Sequence, residues 1–202
     1  MLYQPAHGRF TAPDAEQELA RLAATVPATL VTLSTGGLVA SILPMVFDAG
    51  SHVLRGHLAR ANPQWRDFSE KEVLLVFSGP HAYISPRWYE ETERVPTWNY
   101  AAVHAYGVPR VIPSREEKLA SQRRLVAAMD PQWLPKFDAL PEKYVTMMLD
   151  GIVNFQVPVT RLETRWKLSQ NRGRREMELI AEALEKSGDA AMAALTRKHY
   201  PK

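Results

Sequence analysis

Four groups of polar and aromatic residues stand at the ends of predicted strands, and the first has the composition of a phosphate site. In the segment RGHLARANP at 55–63, Arg60 offers a guanidinium fork suited to phosphate, and His57 could add a donor. The N–H groups of a helix starting at Asn62 would favour the same anion, and Gly56 would permit close backbone approach. A structural interpretation fits the same residues, with Asn62 capping the helix and Arg60 solvated.

Two further groups have the residue types that surround a flavin ring. Trp98 beside Asn99 could supply a flat wall and amide hydrogen bonds to an isoalloxazine, although packing is the simpler explanation. In RWKLSQNR at 165–172, Lys167 could stabilise the electron-rich N1–O2 edge of the ring, or it could be a solvated residue at a strand end. The fourth group, GPHAYISPRWY at 79–89, fits a core or a dimer interface.

The common motifs of hydrolases, nucleotide-binding loops and metal sites do not occur in this sequence. It contains no Gly-rich phosphate loop, no G-x-S-x-G and no H-E-x-x-H, and its six histidines are scattered. The absence of cysteine excludes disulfides and thiolate chemistry and agrees with a reducing cytoplasm. We therefore expect no metal site and a cytoplasmic location.

Length and charge set only broad limits. The 202 residues are enough for one main domain with its own core. The start MLYQPAHGRF does not have the pattern of a secretory signal, and no apolar run is long enough for a membrane helix. A net charge of +3 weakly favours an anionic partner. The cluster Arg172, Arg174 and Arg175 could touch nucleic acid, but a solvated helix start is the ordinary case.

The elements that would position these groups are short strands interrupted by helices. Tight turns predict an antiparallel meander of strands at 28–34, 38–47 and 52–58. Further strands are predicted at 72–79, 82–85, 97–112, 151–157 and 159–168. Helices are predicted from Asp14 to Pro27, from Asn62-Pro63, and at 114–129, 141–149, 175–186 and 189–198. This pattern favours a mainly β, α+β protein built on a small closed or split barrel.

Together and in this order, the four groups resemble the PaiB family of FMN-binding negative transcriptional regulators. The matching stretches span nearly the whole chain: YQPAH at 3–7, GHLARANPQW at 56–65, GPHAYISPRWY at 79–89, VPTWNYAAVHAYG at 95–107 and WKLSQNR at 166–172. Compared with the family pattern, Asn154 stands where glycine is usual.

The resemblance implies an antiparallel split β-barrel of the flavin-reductase and pyridoxamine-phosphate-oxidase type, with helical decoration and C-terminal helices. It implies an FMN-binding barrel domain over 1–173, a helical extension over 174–202, and a homodimer with flavin sites at the subunit interface. By similarity, GHLARAN would hold the FMN phosphate, and WKLSQN would lie near the flavin or substrate. The candidate cofactor-binding residues are then His57, Arg60, Asn62, Trp98, Asn99, Lys167 and Gln170.

Three functions are compatible with this sequence. The first is an FMN-binding transcriptional regulator acting on promoter DNA, although no convincing helix-turn-helix is present. The second is an FMN-dependent oxidoreductase acting on a small molecule, for which the sequence identifies no catalytic residue. The third is a haem-binding split barrel with His104 or His81 as axial ligand, although a packed or surface histidine is commoner.

Overall fold

A computed structural model describes residues 14–68, 70–90 and 93–200, and the matching stretch at 3–7 lies outside them. The strands in this part of the chain are β1 Ala28–Ser34, β2 Gly37–Leu43, β3 Met45–Asp48, β4 Val53–Ala59, β5 Val73–Ile84, β6 Thr97–Gly107, β7 Arg110–Val111, β8 Ile152–Pro158 and β9 Arg161–Lys167. The helices are α1 Ala15–Ala23, α2 Arg115–Met129, α3 Leu134–Asp138, α4 Glu142–Asp150, α5 Arg174–Lys186 and α6 Ala190–Lys198. Short 3₁₀ turns occupy Pro63–Asp67 and Pro86–Trp88.

The strands form two sheets. One has the order β2-β1-β5-β6-β9, and the other has the order β3-β4-β8-β7. The neighbours β1–β2, β1–β5, β3–β4, β4–β8 and β7–β8 all pair antiparallel. The predicted α+β class with antiparallel sheets is confirmed.

The predicted three-stranded meander is wrong at one point, where the chain changes sheets. The run 38–47 is not one strand, because it divides at Pro44 into β2 and β3, which belong to different sheets. Proline has no N–H to donate to a ladder, so a break at Pro44 costs no hydrogen bond.

Other elements also differ from the prediction. The run 97–112 is not one strand, because it divides into β6 and β7, which belong to different sheets. Helix α1 ends at Ala23 rather than at Pro27. Residues 72–79 and 82–85 belong to one continuous strand, β5, which runs through Gly79 and Pro80. Strand β1 pairs only with residues 74–77 of β5, so the missing N–H of Pro80 removes no bond to β1. The short helix α3 was not predicted, while the predicted helices at 114–129, 141–149, 175–186 and 189–198 are confirmed within two residues.

The chain divides into two compact units, and their boundaries fall inside α1, β5, β6 and β9. The described part of the C-terminal unit covers 14–15, 78–90, 93–103 and 163–200, and that of the central unit covers 16–68, 70–77 and 104–162. In the C-terminal unit, α5 buries Met177, Ile180, Ala181 and Leu184, which repeat at helical spacing. The predicted boundary at residue 173 stays a prediction.

In the central unit, β4 and β8 pair in register and present two faces. Leu54, Gly56 and Leu58 lie opposite Val157, Phe155 and Val153, and these residues are buried. The alternate residues, including His57 opposite Asn154, lie on the other face. No helix in the described residues is both long enough and apolar enough to span a membrane.

Candidate functional site

Asn99 of β6 is a fully buried amide with one atom left unpaired. Its relative exposure is 0%, and its Oδ1 accepts a hydrogen bond of 3.1 Å from the Ser169 hydroxyl. Its Nδ2 has no hydrogen-bond partner among the described residues. A buried amide donor without a partner costs about 1–3 kcal/mol, so a ligand oxygen or nitrogen placed there would be bound favourably.

Lys167 lies at the end of β9 and donates a hydrogen bond to the Thr97 hydroxyl. Burial lowers the pKa of the Lys167 ammonium, and the nearby positive charge of Arg165 lowers it further. The Lys167 ammonium would be stabilised by an electron-rich or anionic ligand, because such a ligand offsets the loss of solvation. Since Thr97 and Asn99 are two residues apart on β6, both lie on the face of β6 that Lys167 and Ser169 contact.

The turn after β9 shapes this cluster. Ser169 has a φ of 65°, a left-handed conformation that is uncommon for a residue other than glycine. Gln170 stabilises the same turn, because its Oε1 accepts from the Leu168 N–H at 2.7 Å and its Nε2 donates to the Trp166 carbonyl at 2.5 Å. The predicted residue Gln170 therefore has local backbone partners for its amide.

Trp98 lies on the opposite face of β6 from Asn99, so the structure does not bring this predicted pair together. The Trp98 side chain is 53% exposed, and its ring centroid lies 6.0 Å from that of Tyr83 in an edge-on arrangement. The His81 ring lies 6.3 Å from the same indole. Trp98 therefore belongs to an exposed aromatic patch rather than to the cluster around Asn99.

Arg60, in the central unit, is held against the turn between α4 and β8. Its Nε donates to the Asp150 carbonyl at 2.5 Å, and its Nη2 donates to the Ile152 carbonyl at 3.1 Å. A guanidinium has five N–H groups, so three of them lie outside these two bonds. Arg60 is exposed, and the bonds fix a cation with donors that a phosphate could still reach.

Asn62 and Gly56 have structural partners. The Asn62 Oδ1 accepts from the Gln64 N–H at 3.0 Å, and its Nδ2 donates to the Ser41 hydroxyl at 2.9 Å. Asn62 is thus a helix cap, as the structural interpretation of the sequence expected. The space that a Cβ would fill at Gly56 is occupied by the Met45 sulfur, 2.3 Å from that position, so Gly56 serves strand packing.

His57 lies on the helix-covered face of β4. Its Nδ1 lies 3.2 Å from the Gln122 Nε2, and burial lowers the pKa of the imidazole. Because the pKa is lowered from 6.5, His57 is neutral at pH 7 and adds no charge for a phosphate there.

The sequence analysis missed three polar partners in these sites: Thr97, Ser169 and Gln122. Thr97 and Ser169 act on residues 70 positions away in the chain, and Gln122 acts across 65 positions. Local spacing carries no signal of such long-range pairs. The stretches VPTWNY and WKLSQNR did contain Thr97 and Ser169, but their partners appear only in the fold.

Comparison with known proteins decides the family. A family model described as "Putative FMN-binding domain" matches residues 2–161. The chain belongs to this FMN-binding domain family. It is also 37% identical over 163 residues to the "Protease synthase and sporulation protein PAI 2" of Bacillus subtilis (strain 168), covering 78% of this chain and 77% of that protein. The predicted PaiB resemblance is confirmed.

Solved structures confirm the predicted split-barrel fold of this FMN-binding domain protein. The flavocytochrome Anf3 from Azotobacter vinelandii matches with a TM-score of 0.64 and 14% identity, over 81% of this chain and 72% of that one. The FAD and heme binding protein from Mycobacterium smegmatis matches with a TM-score of 0.61 and 16% identity, over 78% and 72%. At these identities the likeness establishes the fold alone.

The residues of this FMN-binding domain fit the cofactor that the family implies. The pyrimidine edge of a flavin carries carbonyl oxygens and ring nitrogens, and it becomes more electron-rich on reduction. The unpaired amide of Asn99 could offer that edge a hydrogen bond, and the Lys167 ammonium could offer it a positive charge. Turning the Asn99 amide over would exchange its two atoms, but one would still lack a partner.

Proposed function

We propose that this chain is an FMN-binding regulator of the PaiB type, in which the C-terminal unit binds the flavin ring. The observation that carries the proposal is the unpaired, buried amide of Asn99 beside the Lys167 ammonium. The family match supports FMN as the ligand. The name of the Bacillus relative, a protease synthase and sporulation protein, supports a regulatory role.

When bound, FMN would supply a redox-active ring whose charge changes on reduction. The residues of this chain would bind and orient that ring. Asn99 would hydrogen-bond the pyrimidine edge, with its amide plane fixed by Ser169. Lys167, oriented by Thr97, would hold positive charge beside N1 and O2 and so favour the reduced, electron-rich form.

The other cofactor residues remain proposals that binding experiments can separate. Arg60 is the best candidate for the FMN phosphate, because it is an exposed cation fixed by two backbone bonds. His57 and Asn62 have structural partners, so we expect smaller effects on FMN affinity from them than from Arg60. Contacts of FMN with Trp98 and Gln170 are tested in the same way.

The first experiment is an FMN titration of the wild-type protein and matched variants, followed by the change in flavin absorbance. We expect Lys167→Met and Arg60→Ala each to weaken binding by about 10- to 150-fold, as the loss of a charge-assisted bond should. Lys186→Met is the control for Lys167, since it removes an exposed lysine at the end of α5. Equal affinity in Lys167→Met and Lys186→Met would refute the ring site.

Action on promoter DNA is part of the proposal, and the redox state of FMN would be the signal. Two of the basic residues that could touch DNA have partners within the protein, because Arg174 pairs with Glu178 and Arg175 with Glu90. A direct DNA contact would compete with these pairs. Gel-shift assays with promoter DNA, with oxidised and with reduced FMN, test the regulator, and no shift in any state would contradict it.

A homodimer is the third part of the proposal, and the edge hairpin β1–β2 supports it. Leu38 and Ile42 on the edge strand are 77% and 74% exposed, and Leu33, which pairs with Leu38, is 53% exposed. An apolar edge strand can pair with the same strand of a second copy. Light scattering should show a dimer that Ile42→Glu dissociates and Val95→Glu, at a similarly exposed valine, does not.

An FMN-dependent oxidoreductase is the second candidate function. The charge of Lys167 beside a reduced flavin would suit electron transfer as well as sensing. Reduction of the bound flavin by NADH or NADPH, with reoxidation by a small molecule, would favour this function. A haem role has less support from the site residues, because His81 is exposed beside Trp98. We also propose a cytoplasmic location, in line with the cysteine-free composition.

A further inference from the structure

A cavity of about 380 Å³ lies in the central unit, between the helices α2, α3 and α4 and the strands β4 and β8. Its volume is within the range of small-molecule sites, about 300–1,000 Å³. Leu119, Phe137, Val145 and Met148 contribute apolar surface to it. His57 and Gln122, which contact each other, also line it.

The cavity carries no formal charge. Among the described residues that line it there is no lysine, arginine, aspartate or glutamate. The one titratable group near neutral pH is His57, and burial lowers its pKa, which keeps the imidazole neutral. A charged ligand would be desolvated there without a partner, so an uncharged ligand fits.

His57 and Gln122 lie next to each other in the wall of the cavity, and Tyr144 of α4 also belongs to the lining. Asn154 lies directly opposite His57 in the β4–β8 ladder, so the two side chains share the face on which the helices pack. Asn154 is 0% exposed, and neither atom of its amide has a hydrogen-bond partner among the described residues. Among the lining residues, His57 and Gln122 thus form a polar pair beside apolar walls, whereas Asn154, the buried neighbour of His57, is not one of the lining residues.

We infer that this cavity binds a small uncharged molecule with an apolar body and one polar group. The apolar body occupies the space between α2 and α4, and the polar group hydrogen-bonds with the side of the cavity formed by His57 and Gln122. His57 also belongs to the predicted phosphate segment, but Arg60, Asn99 and Lys167 do not line this cavity. A flavin phosphate would find no cation among the lining residues, and no part of the inference depends on FMN being bound.

The test uses 1-aminoanthracene, an uncharged aromatic amine whose fluorescence rises in an apolar site. The full-length wild-type protein should bind it saturably. Val145→Phe, which fills the cavity, should weaken binding at least tenfold. Met147→Phe is the matched control, because Met147 is 57% exposed on the same helix and does not line the cavity, so its affinity should be unchanged.

Two further measurements keep the inference testable if Val145→Phe folds poorly. Gln122→Leu, a change at a half-buried helix position, should weaken the amine-bearing probe by about 5- to 10-fold through loss of one hydrogen bond. Excess FMN should leave probe binding unchanged. The inference is overturned if the wild-type protein does not bind the probe, if Met147→Phe weakens binding as much as Val145→Phe does, or if FMN displaces the probe competitively.

Discussion

Replacing Asn99 with leucine and Ser169 with alanine together should separate the binding role of Asn99 from its cost to stability. In the free protein, Asn99 gains one hydrogen bond from Ser169 but leaves a buried Nδ2 unpaired. The double variant removes both partners of that bond at once, so neither side chain is left with a newly orphaned polar atom. It also removes the atom proposed to bind FMN.

The expected magnitudes follow from these contacts. Removing the orphaned donor gains about 1–3 kcal/mol, and losing the Ser169–Asn99 bond costs about 0.5–1.5 kcal/mol. The free energy of unfolding without FMN should therefore change by between about −0.5 and +2.5 kcal/mol. Loss of a ligand bond worth about 1–3 kcal/mol weakens FMN binding by about 5- to 150-fold.

Urea unfolding of the FMN-free protein and FMN titration measure the two effects on the same preparation. Thr196→Val is the control, because Thr196 is also fully buried in the C-terminal unit. Within the described part of the chain, its hydroxyl donates to the Met192 carbonyl of its own helix, α6. The control should lose about 1 kcal/mol of stability and keep its FMN affinity. A double variant that is strongly destabilised yet binds FMN normally would refute the assignment of Asn99 to the flavin.

Three other predictions concern stability. Ser169 has a φ of 65°, so Ser169→Gly should be more stable than Ser169→Ala by about 1 kcal/mol in urea unfolding. Both variants lack the hydroxyl, but only alanine strains the backbone there. Equal stabilities would contradict this prediction. Gln64 is 1% exposed, and its Nε2 lies within hydrogen-bond distance of acceptors on Leu30, Thr32 and Val39. Gln64→Leu should therefore lower the free energy of unfolding by about 1–3 kcal/mol. An unchanged urea midpoint would show that these hydrogen bonds do not stabilise the fold. Burial lowers the pKa of His57, so the unfolded chain binds the proton more readily, and stability should fall as the pH drops below 6.5. His57→Gln should lose less stability than the wild type between pH 7 and 5 in thermal melts. Equal losses in the two proteins would disprove this prediction.

The sequence predicted helices and strands well where a cap or a turn lies next to the element in the chain. Ser114 caps α2, accepting from the Glu117 N–H at 3.3 Å, and Asn62 caps the turn that begins at Pro63. Strand β1 has the predicted bounds, 28–34. The errors arose where a residue's effect depends on its neighbours in space: Pro44 ends a strand at a change of sheet, whereas Pro80 lies inside a strand.

The site was predictable only as a set of segments. The sequence pointed to Asn99 and Lys167 but not to their partners. Asn99 bonds to Ser169, and Lys167 bonds to Thr97, so each pair joins β6 to the segment at the end of β9. Alternation along β6 could have shown that Trp98 and Asn99 lie on opposite faces, because successive strand residues always do. The sequence could not show that Arg60 is both exposed and fixed in place. Its guanidinium donates to backbone carbonyls at residues 150 and 152, which are about 90 positions away in the chain.

Two buried amides of the protein, Asn99 and Asn154, retain unpaired atoms. Asn99 and Asn154 are both 0% exposed, and both retain amide atoms without partners among the described residues, although apolar residues of similar size would pack there at less cost. Asn99 lies beside a cation and Asn154 opposite a neutral histidine. The cation beside Asn99 favours an electron-rich flavin edge, whereas Asn154 does not line the cavity and does not define its ligand. Replacing Asn99 should therefore raise stability and weaken FMN binding only, while ligand binding in the cavity depends on His57 and Gln122, which makes the two proposals independently testable.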